Sequence, residues 1–395
     1  MNISQPFSRP FYVMAKPAGS LCNLSCRYCY YLEKKKYYDE TGVFRMSDEL
    51  LEDFTRQYIE AQTMSEVLFT WHGGEPLLRP LSFYEKALAL QRRYAGGRHT
   101  DNCIQTNGTL ITDEWCRFFR DNGFLVGVSI DGPRRFHDAM RPDSFDRVLR
   151  GIELLNKHGV EWNAMAVVNS MNVDYPIEFY RFFKSVGCRY LQFTPVVERR
   201  DDAGMLMPGM TEGGTLTSTS VSPEKWGRFL CTLFDEWVHR DVGEIFVQLL
   251  DATLANWAGV PPGICSLSPV CGHSAALEHN GDLYSCDHFV FPEHKLGNIR
   301  RDTITSMMYG PRQTAFGNAK RASLPRQCRE CEYLFACNGE CPKNRFVRDR
   351  YGNPGLNWLC SGYHRFFAHA APYMDFMKAE LDAGRAPANV MNCEF

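Results

Sequence analysis

Residues 22–29 read CNLSCRYC, and the spacing of the three cysteines in this stretch dominates the interpretation of the chain. Cys22, Cys26 and Cys29 are separated by three and then two residues, so one loop can bring their thiolates to a single metal centre. Thiolates are the usual ligands of iron-sulfur clusters, and a cubane with only three of them keeps one iron open. A zinc ion with a distant fourth ligand also fits this spacing. We expect a 4Fe-4S cluster with an open iron.

The sequence around this loop alternates short apolar segments with longer amphipathic ones. The short segments are rich in β-branched and aromatic residues, which favours strands, and the stretches between them have helical spacing. The candidate strands read FYVMAKP, EVLFTW, NCIQTNG, FLVGVSIDG, VEWNAMAVVN and RYLQFTPVV. Ser47, Thr112 and either Asp143 or Ser144 stand where helix N-caps are expected. Six βα repeats predict an α/β fold, a partial barrel spanning residues 10–240.

The C-terminal part of the chain has a different character. Residues 201–221 show no clear period, which predicts a long loop, and a helix is expected over 223–240. Beyond about residue 260 the helix and strand periods fade while cysteines become frequent, which is typical of a small unit held together by metal. We therefore predict a linker at 241–264, a cysteine-rich domain at 265–375 and a C-terminal tail at 376–395.

The composition restricts the class of protein. A net charge of -2 provides no field that would attract nucleic acid, so no nucleic-acid partner is expected. The sequence contains neither a secretory signal nor a run of about 18 apolar residues, so we expect a cytoplasmic protein without a membrane partner. Thiols stay reduced in that compartment, and the 16 cysteines are therefore expected to serve metal binding or catalysis rather than a disulfide framework.

A second group of cysteines follows in the last third of the chain. Eight thiolates suffice for two fully ligated cubanes, although two structural zinc sites would also use CxxC spacing. The eight are Cys265, Cys271, Cys286, Cys328, Cys331, Cys337, Cys341 and Cys360.

The stretch CNLSCRYC resembles the signature of the radical S-adenosylmethionine (SAM) superfamily. This resemblance implies a partial (β/α)6 barrel with the cluster loop after the first strand and with SAM bound to the open iron. Chemistry in barrels belongs at the carboxyl ends of the strands. There, HGGEP follows the second strand and resembles the motif that holds the SAM amino group, which implies roles for Gly73 and Gly74. Other members often carry Gln where this chain has His72.

Four more residues are implied as SAM contacts by the same resemblance. Ser129 of SIDGP and Arg141 resemble residues that bind the ribose or the carboxylate of SAM. Tyr31, just after the cluster loop, and Leu191, on the sixth strand, resemble residues that contact the adenosyl part.

The C-terminal cysteines resemble the SPASM domain, which binds two auxiliary 4Fe-4S clusters in radical SAM enzymes that act on peptides. The resemblance implies a crossed pairing. One cluster is then held by Cys265, Cys271, Cys286 and Cys341, and the other by Cys328, Cys331, Cys337 and Cys360. The chain is thus expected to carry three 4Fe-4S clusters in addition to SAM.

A narrower resemblance covers nearly the whole chain. Stretches such as QTNGTLITDEWC, CDHFVFPEHKLGNI and CRECEYLFACNGECPKNRF are similar to anaerobic sulfatase-maturating enzymes. The resemblance implies oxidation of a Cys or Ser to Cα-formylglycine in a nascent or unfolded sulfatase, within a Cys/Ser-x-Pro-x-Arg segment. It also implies a reducing electron donor such as flavodoxin or ferredoxin. Asp287, in CDHF, resembles the residue that accepts the substrate proton.

Two alternatives remain open from the sequence. Other radical SAM enzymes with SPASM domains form thioethers or quinone cofactors in peptides. An iron-sulfur electron carrier would share the cysteines, but it would need neither HGGEP nor SIDGP.

Overall fold

The computed structural model describes residues 10–37, 44–393 and 395. The predicted barrel domain includes residues 38–43 and the predicted tail includes residue 394, which lie outside the described residues. The strands are short and are numbered in chain order. They are β1 Tyr12–Ala15, β2 Glu66–Trp71, β3 His99–Thr106, β4 Leu125–Ser129, β5 Trp162–Val168, β6 Tyr190–Pro195, β7 Arg199–Arg200, β8 Thr215–Leu216, β9 Phe246–Val247, β10 Ser274–Leu277, β11 Asp282–Tyr284, β12 Lys295–Asn298, β13 Arg345–Val347 and β14 Leu356–Asn357.

The α-helices are numbered in the same way. They are α1 Asp48–Ala61, α2 Leu81–Tyr94, α3 Asp113–Asp121, α4 Arg134–Met140, α5 Phe145–His158, α6 Pro176–Ser185, α7 Pro223–Val238, α8 Gln248–Trp257, α9 Ile304–Met308, α10 Pro311–Ala322, α11 Arg326–Arg329, α12 Leu334–Cys337 and α13 Cys360–Asp382.

The helix starts follow the capping residues seen in the sequence. The Ser47 hydroxyl accepts a hydrogen bond from the Leu50 amide at 3.2 Å, and the Thr112 hydroxyl accepts one from the Trp115 amide at 3.3 Å. Each cap satisfies an amide that the first helical turn leaves without an intrahelical acceptor. Ser144 precedes α5 but differs, because its hydroxyl donates to the carbonyl of Arg141.

The chain divides into two compact units, and the first contains Met1–Ser129, Met140–Trp162 and Val270–Ala319. Its sheet has the strand order β12-β11-β10-β1-β2-β3-β4. The strands from β10 to β4 are parallel, whereas β11 and β12 join as antiparallel strands. Strand β1 is central, and its Val13 and Ala15 side chains are buried. The cysteines at 22–29 follow β1, so a buried strand anchors this loop.

The second unit contains Ile130–Ala139, Asn163–Pro269 and Lys320–Phe395. Strands β5, β6 and β9 are parallel neighbours within it. Helices α7 and α13 pack closely at a glycine contact, since a Cβ atom built on Gly362 would lie 2.3 Å from the Pro223 carbonyl oxygen. Because Gly362 lies in the first turn of α13, this contact fixes the helix start where Cys360 lies.

The two units follow contacts in space and do not coincide with the boundaries predicted along the chain. Those boundaries remain a prediction. In the part of the chain that the structure describes, no helix combines the length and the apolar composition needed to cross a bilayer.

Candidate active site and iron-sulfur ligands

The loop after β1 brings the first three cysteines together. The Cys29 amide donates to the Cys26 carbonyl at 3.0 Å, and the Leu24 amide points at the Cys22 sulfur at 3.4 Å. Burial raises the pKa of the Cys29 thiol and, together with the charges of Cys26 and Cys22, brings it to about 12. Thiols that oppose one another's ionisation become thiolates together only around a cation. This donor set therefore fits an iron-sulfur cluster.

The HGGEP segment after β2 lies directly against the residues that precede the cluster loop. The Gly74 amide donates to the Gly19 carbonyl at 2.8 Å, and the Glu75 amide donates to the Leu21 carbonyl at 2.8 Å. A Cβ atom on Gly74 would lie 2.0 Å from the Leu21 oxygen, and Gly73 has a φ of +122°. Only glycine permits both the approach and the backbone conformation. The sequence requirement at these positions is therefore steric.

His72 uses its ring within this segment. Its Nδ1 atom accepts a hydrogen bond from the Gly73 amide at 2.7 Å. Burial lowers the pKa of His72, although the nearby Asp287 carboxylate opposes this effect. The ring is therefore neutral and helps to hold the turn.

Glu75 is a site residue to which the sequence analysis assigned no role. Its buried carboxylate accepts hydrogen bonds from the Leu77 amide, the Thr106 hydroxyl and the Asn107 amide, at 2.9, 2.8 and 2.7 Å. Burial raises the pKa of Glu75 to about 7, although these hydrogen bonds oppose the shift. The carboxylate thus joins the ends of β2 and β3. The sequence could have indicated Glu75, because it is part of the HGGEP motif quoted above.

Asn107, from the quoted QTNG stretch, reaches the cluster loop. Its side-chain amide lies 3.6 Å from the Cys22 sulfur and donates to the side-chain Oδ1 atom of Asn23 at 2.8 Å. Hydrogen bonds to ligand sulfurs are one way in which proteins tune iron-sulfur clusters.

Arg141 lies beside the cluster cysteines. Its guanidinium is 3.9 Å from the Cys26 sulfur and 5.4 Å from the centre of the Tyr28 ring, and the side chain is buried. Ser129, at the end of β4, accepts a hydrogen bond from the Gln105 side chain at 3.0 Å. The SAM contacts predicted for these two residues remain predictions.

Asp287 is buried and has two partners on the N-terminal side of the sequence. The Lys16 ammonium donates to its Oδ1 atom, and the Tyr30 hydroxyl donates to its Oδ2 atom. Burial alone would raise the pKa of Asp287, but the charge of the Lys16 ammonium holds it well below its ordinary value. Asp287 is therefore ionised, which a proton acceptor must be.

Lys16 also has a second acidic neighbour. Its ammonium lies 3.5 Å from Glu278, whose carboxylate accepts a hydrogen bond from the Tyr31 hydroxyl at 2.5 Å. The same ammonium sits 3.7 Å from the centre of the Tyr31 ring. Lys16 and Glu278 were missed because only the fold brings them to Asp287. Tyr31 and Leu191, a buried residue of β6 in the second unit, keep their predicted SAM contacts as predictions.

Four C-terminal cysteines line one cavity in the second unit. Cys328, Cys331, Cys337 and Cys360 surround a space of about 740 Å³, together with aromatic side chains such as Tyr333. Burial raises the pKa of the Cys360 thiol to about 12, and Cys328 and Cys331 add to this shift. These four residues are the set predicted to bind the second auxiliary cluster, and the cavity fits that group.

The other predicted set is divided between the units. Cys271 and Cys286 belong to the first unit, and Cys265 and Cys341 belong to the second. Their common cluster remains a prediction. All 16 cysteines are described, and none of them forms a disulfide. Across the described residues, no three or more His, Cys, Asp or Glu side chains lie close enough together to hold a single metal ion.

Comparisons with known proteins agree with this arrangement. The model of the radical SAM superfamily matches residues 17–183, and the model of the SPASM iron-sulfur cluster-binding domain matches residues 265–332. The serine-type anaerobic sulfatase-maturating enzyme of Bacteroides thetaiotaomicron is 61% identical over 98% of this chain and 95% of its own length. The cysteine-type enzyme of Clostridium perfringens strain 13 is 30% identical over 92% of this chain and 97% of its own.

A solved structure shows the same fold. Native anSMEcpe with bound AdoMet and the Cp18Cys peptide matches with a TM-score of 0.82 and 30% identity, covering 94% of this chain and 100% of that one. Fold and matched domains together define a radical SAM enzyme with a SPASM domain. Within that class, the chain belongs to the family of anaerobic sulfatase-maturating enzymes. Its α/β fold class is confirmed, and its cofactors are three 4Fe-4S clusters and SAM.

Proposed function

We propose that this enzyme oxidises a serine side chain of a sulfatase to Cα-formylglycine under anaerobic conditions. The observation that carries the choice of serine is the 61% identity to a serine-type relative, against 30% to the cysteine-type one. The substrate segment is a Ser-x-Pro-x-Arg core in a nascent or unfolded sulfatase. A cysteine in place of this serine would also react, but more slowly, since both residues present a heteroatom on the β-carbon.

The residues around the cluster loop would position SAM. When bound, the N-terminal cluster and SAM supply a radical that removes a hydrogen atom from the substrate β-carbon. Cys22, Cys26 and Cys29 hold the iron, and backbone carbonyls of the Gly73–Gly74 turn accept from the SAM ammonium. Arg141 pairs with the SAM carboxylate, a role that its burial beside Cys26 supports. Ser129, Tyr31 and Leu191 complete the SAM site.

Asp287 would accept the proton that leaves the substrate hydroxyl. Formation of the aldehyde removes one hydrogen atom, one proton and one further electron from the serine. The hydrogen atom would go to the SAM-derived radical, the proton to Asp287 and the electron to an auxiliary cluster. The ionised state of Asp287, maintained by Lys16, supports its role as the acceptor. Tyr30 fixes the other carboxylate oxygen and so orients the group.

The C-terminal cysteines would hold the two auxiliary clusters in the crossed arrangement. Cys328, Cys331, Cys337 and Cys360 share one cavity, which supports their assignment to the second auxiliary cluster. Cys265, Cys271, Cys286 and Cys341 form the other set. A small reducing protein such as flavodoxin or ferredoxin would deliver the electron that SAM cleavage consumes.

Mass spectrometry of matched peptides tests the substrate. The reduced enzyme is incubated with SAM and with peptides that differ only in carrying Ser, Cys or Ala before x-Pro-x-Arg. We expect the serine peptide to lose two hydrogens at that residue, faster than the cysteine peptide is converted, while the alanine peptide is unchanged. Faster conversion of the cysteine peptide would reverse the serine assignment.

Two further arms separate the alternatives. A peptide with serine but without the Pro and Arg positions should react poorly if the sulfatase core is recognised. A crosslinked product, instead of an aldehyde, would indicate a thioether-forming maturase. The Cys22, Cys26 and Cys29 triple Ala variant provides the control, because it should produce neither 5'-deoxyadenosine nor aldehyde while retaining the auxiliary iron.

A further inference from the structure

Lys320 is a completely buried lysine in the last turn of α10. Its ammonium donates to the carbonyl oxygens of Cys265 at 2.8 Å and Ser266 at 2.6 Å. Among the described residues, no carboxylate oxygen lies within 4.0 Å of this ammonium. The positive charge is therefore held by backbone dipoles alone, beside a predicted cluster ligand.

Such a charge is costly unless something negative compensates it. Moving an ammonium group out of water costs several kcal/mol even after the protein relaxes, and carbonyl groups offset only part of this cost. Glu340 is the acid whose charge acts on the same Cys265 thiol. Its carboxylate is already occupied by the side-chain amides of Asn344 and Asn357, at 3.2 and 2.6 Å. Lys320 thus needs an anion that the polypeptide does not supply at contact distance.

The position of Lys320 is firmly held. The buried guanidinium of Arg345 donates to the Lys320 carbonyl and also to the carbonyls of Gly339 and Glu340. The backbone that carries the ammonium is therefore anchored by the Arg345 guanidinium. A buried cation that cannot turn away acts as a fixed charge for any group bound at Cys265.

We propose that Lys320 is the counter-charge of the auxiliary cluster to which Cys265 contributes a thiolate, and that it raises the midpoint potential of this cluster. A thiolate-ligated cluster is an anion, and reduction adds one electron to it. The fixed ammonium stabilises the added charge, and net charge near a cluster is one determinant of its potential. The inference rests on the auxiliary cluster and on Cys265 as its ligand, but not on the identity of the peptide substrate.

Potentiometric titration of the reconstituted holoenzyme tests the proposal without any peptide. Each cluster is followed by electron paramagnetic resonance, and the SAM-binding cluster is recognised because its signal changes when SAM is added. Lys320→Gln keeps a donor for the carbonyls but removes the charge. We expect it to lower one auxiliary midpoint, so that the ratio of reduced to oxidised cluster at a fixed potential falls about tenfold, or about 59 mV. The SAM-binding cluster should not change.

Two variants separate charge from packing. Lys320→Arg keeps the charge and should retain most of the wild-type midpoint. Arg321→Gln removes one positive charge from the exposed neighbouring residue and should shift no midpoint. An unchanged or raised auxiliary midpoint in Lys320→Gln would overturn the proposal, and so would equal shifts in Lys320→Gln and Lys320→Arg.

Iron analysis covers the case in which Lys320→Gln fails to hold the cluster. Loss of about four irons in Lys320→Gln but not in Lys320→Arg would support the counter-charge role. Equal iron loss in both variants would show that the lysine side chain serves packing, and the proposal would fall. Neither result depends on whether the enzyme oxidises serine.

Discussion

Two buried lysines, one in each unit, have opposite surroundings. Lys16, in the first unit, contacts the carboxylates of Asp287 and Glu278. Lys320, in the second unit, donates to the carbonyl oxygens of Cys265 and Ser266, and it contacts no carboxylate among the described residues. Both side chains are fully buried. The difference therefore lies in which charges the polypeptide itself provides, and not in the degree of burial.

This comparison shows what each lysine can do. The charge of Lys16 is neutralised within the protein, so its effect is to keep Asp287 ionised and in place. The charge of Lys320 is not neutralised by a neighbouring acid and remains available to a bound anion. A buried lysine thus supports the proposed proton acceptor Asp287 in one unit. In the other unit, by inference, a buried lysine supports an electron-accepting cluster.

The largest expected effect follows from removing the charge of Lys16. In Lys16→Met, Asp287 and Glu278 lose their shared cation while both stay buried. Breaking a buried ion pair in this way typically costs about 3–5 kcal/mol in the free energy of unfolding. Urea denaturation of the anaerobic holoenzyme, followed by tryptophan fluorescence, measures the loss.

The control for this variant is Lys157→Met. Lys157 is an exposed residue that pairs with the exposed Asp113, so its removal should leave the denaturation midpoint unchanged within error. If Lys16→Met also left the denaturation midpoint unchanged, the two acids around Lys16 could not both be charged. The contrast with Lys320 would then disappear.

The sequence reveals the cluster loop but not the surroundings of Asp287, and the reason is separation along the chain. Cys22, Cys26 and Cys29 lie within eight residues, so their spacing alone indicates that they bind one metal centre. Lys16 and Asp287 are 271 residues apart. They meet because β10 pairs with β1, and no local pattern encodes that pairing.

Local patterns explain most of the regular structure before residue 240. Strands β1, β2, β4, β5 and β6 lie within the predicted segments, β3 begins three residues before its segment, and α7 begins at Pro223 as expected. Beyond residue 260, the sequence analysis did not predict the 23-residue helix α13. Its buried residues Tyr363, Phe366, Ala370, Tyr373 and Met377 recur every three or four positions, so the helical period was present in the sequence and was overlooked beside the cysteines.

A smaller expected effect concerns the partner of Lys16 in catalysis. Asp287→Asn removes the carboxylate that is proposed to accept the proton but keeps a side chain of the same shape. General base catalysis contributes at least about 100-fold, equivalent to about 2.7 kcal/mol, so aldehyde formation should fall by that factor. Quantifying both products by chromatography should show that 5'-deoxyadenosine still forms, because SAM cleavage precedes the proton transfer.

The exposed Asp302→Asn variant controls for the loss of a carboxylate from the same unit and should keep wild-type aldehyde yield. Aldehyde formation within threefold of wild type in Asp287→Asn would remove Asp287 from the proton-transfer step. Lys16 would then be an ion-pair partner with structural value only.

The smallest expected effect concerns Asp251, an acid of the second unit that, like Lys320, has no oppositely charged partner among the described residues. Burial raises the pKa of Asp251, on α8, to about 7, and among the described residues no donor makes a hydrogen bond to its carboxylate. An unfolded Asp has a pKa near 3.9, so between about pH 4 and pH 7 the folded state binds more protons than the unfolded state. Stability must therefore fall as the pH rises through this interval.

Asp251→Asn removes this titration. The variant should become more stable relative to the wild type as the pH rises. The difference in the free energy of unfolding should grow by about 1–2 kcal/mol between pH 5 and pH 8, which is less than the full pKa shift would give because Asp251 is partly exposed. Urea denaturation at both pH values measures it, with the exposed Asp202→Asn as the control. If the difference in the free energy of unfolding did not change with pH, the carboxylate of Asp251 would be stabilised by its neighbours, as that of Asp287 is. Asp251 would then not resemble Lys320 as a buried charge without a compensating partner.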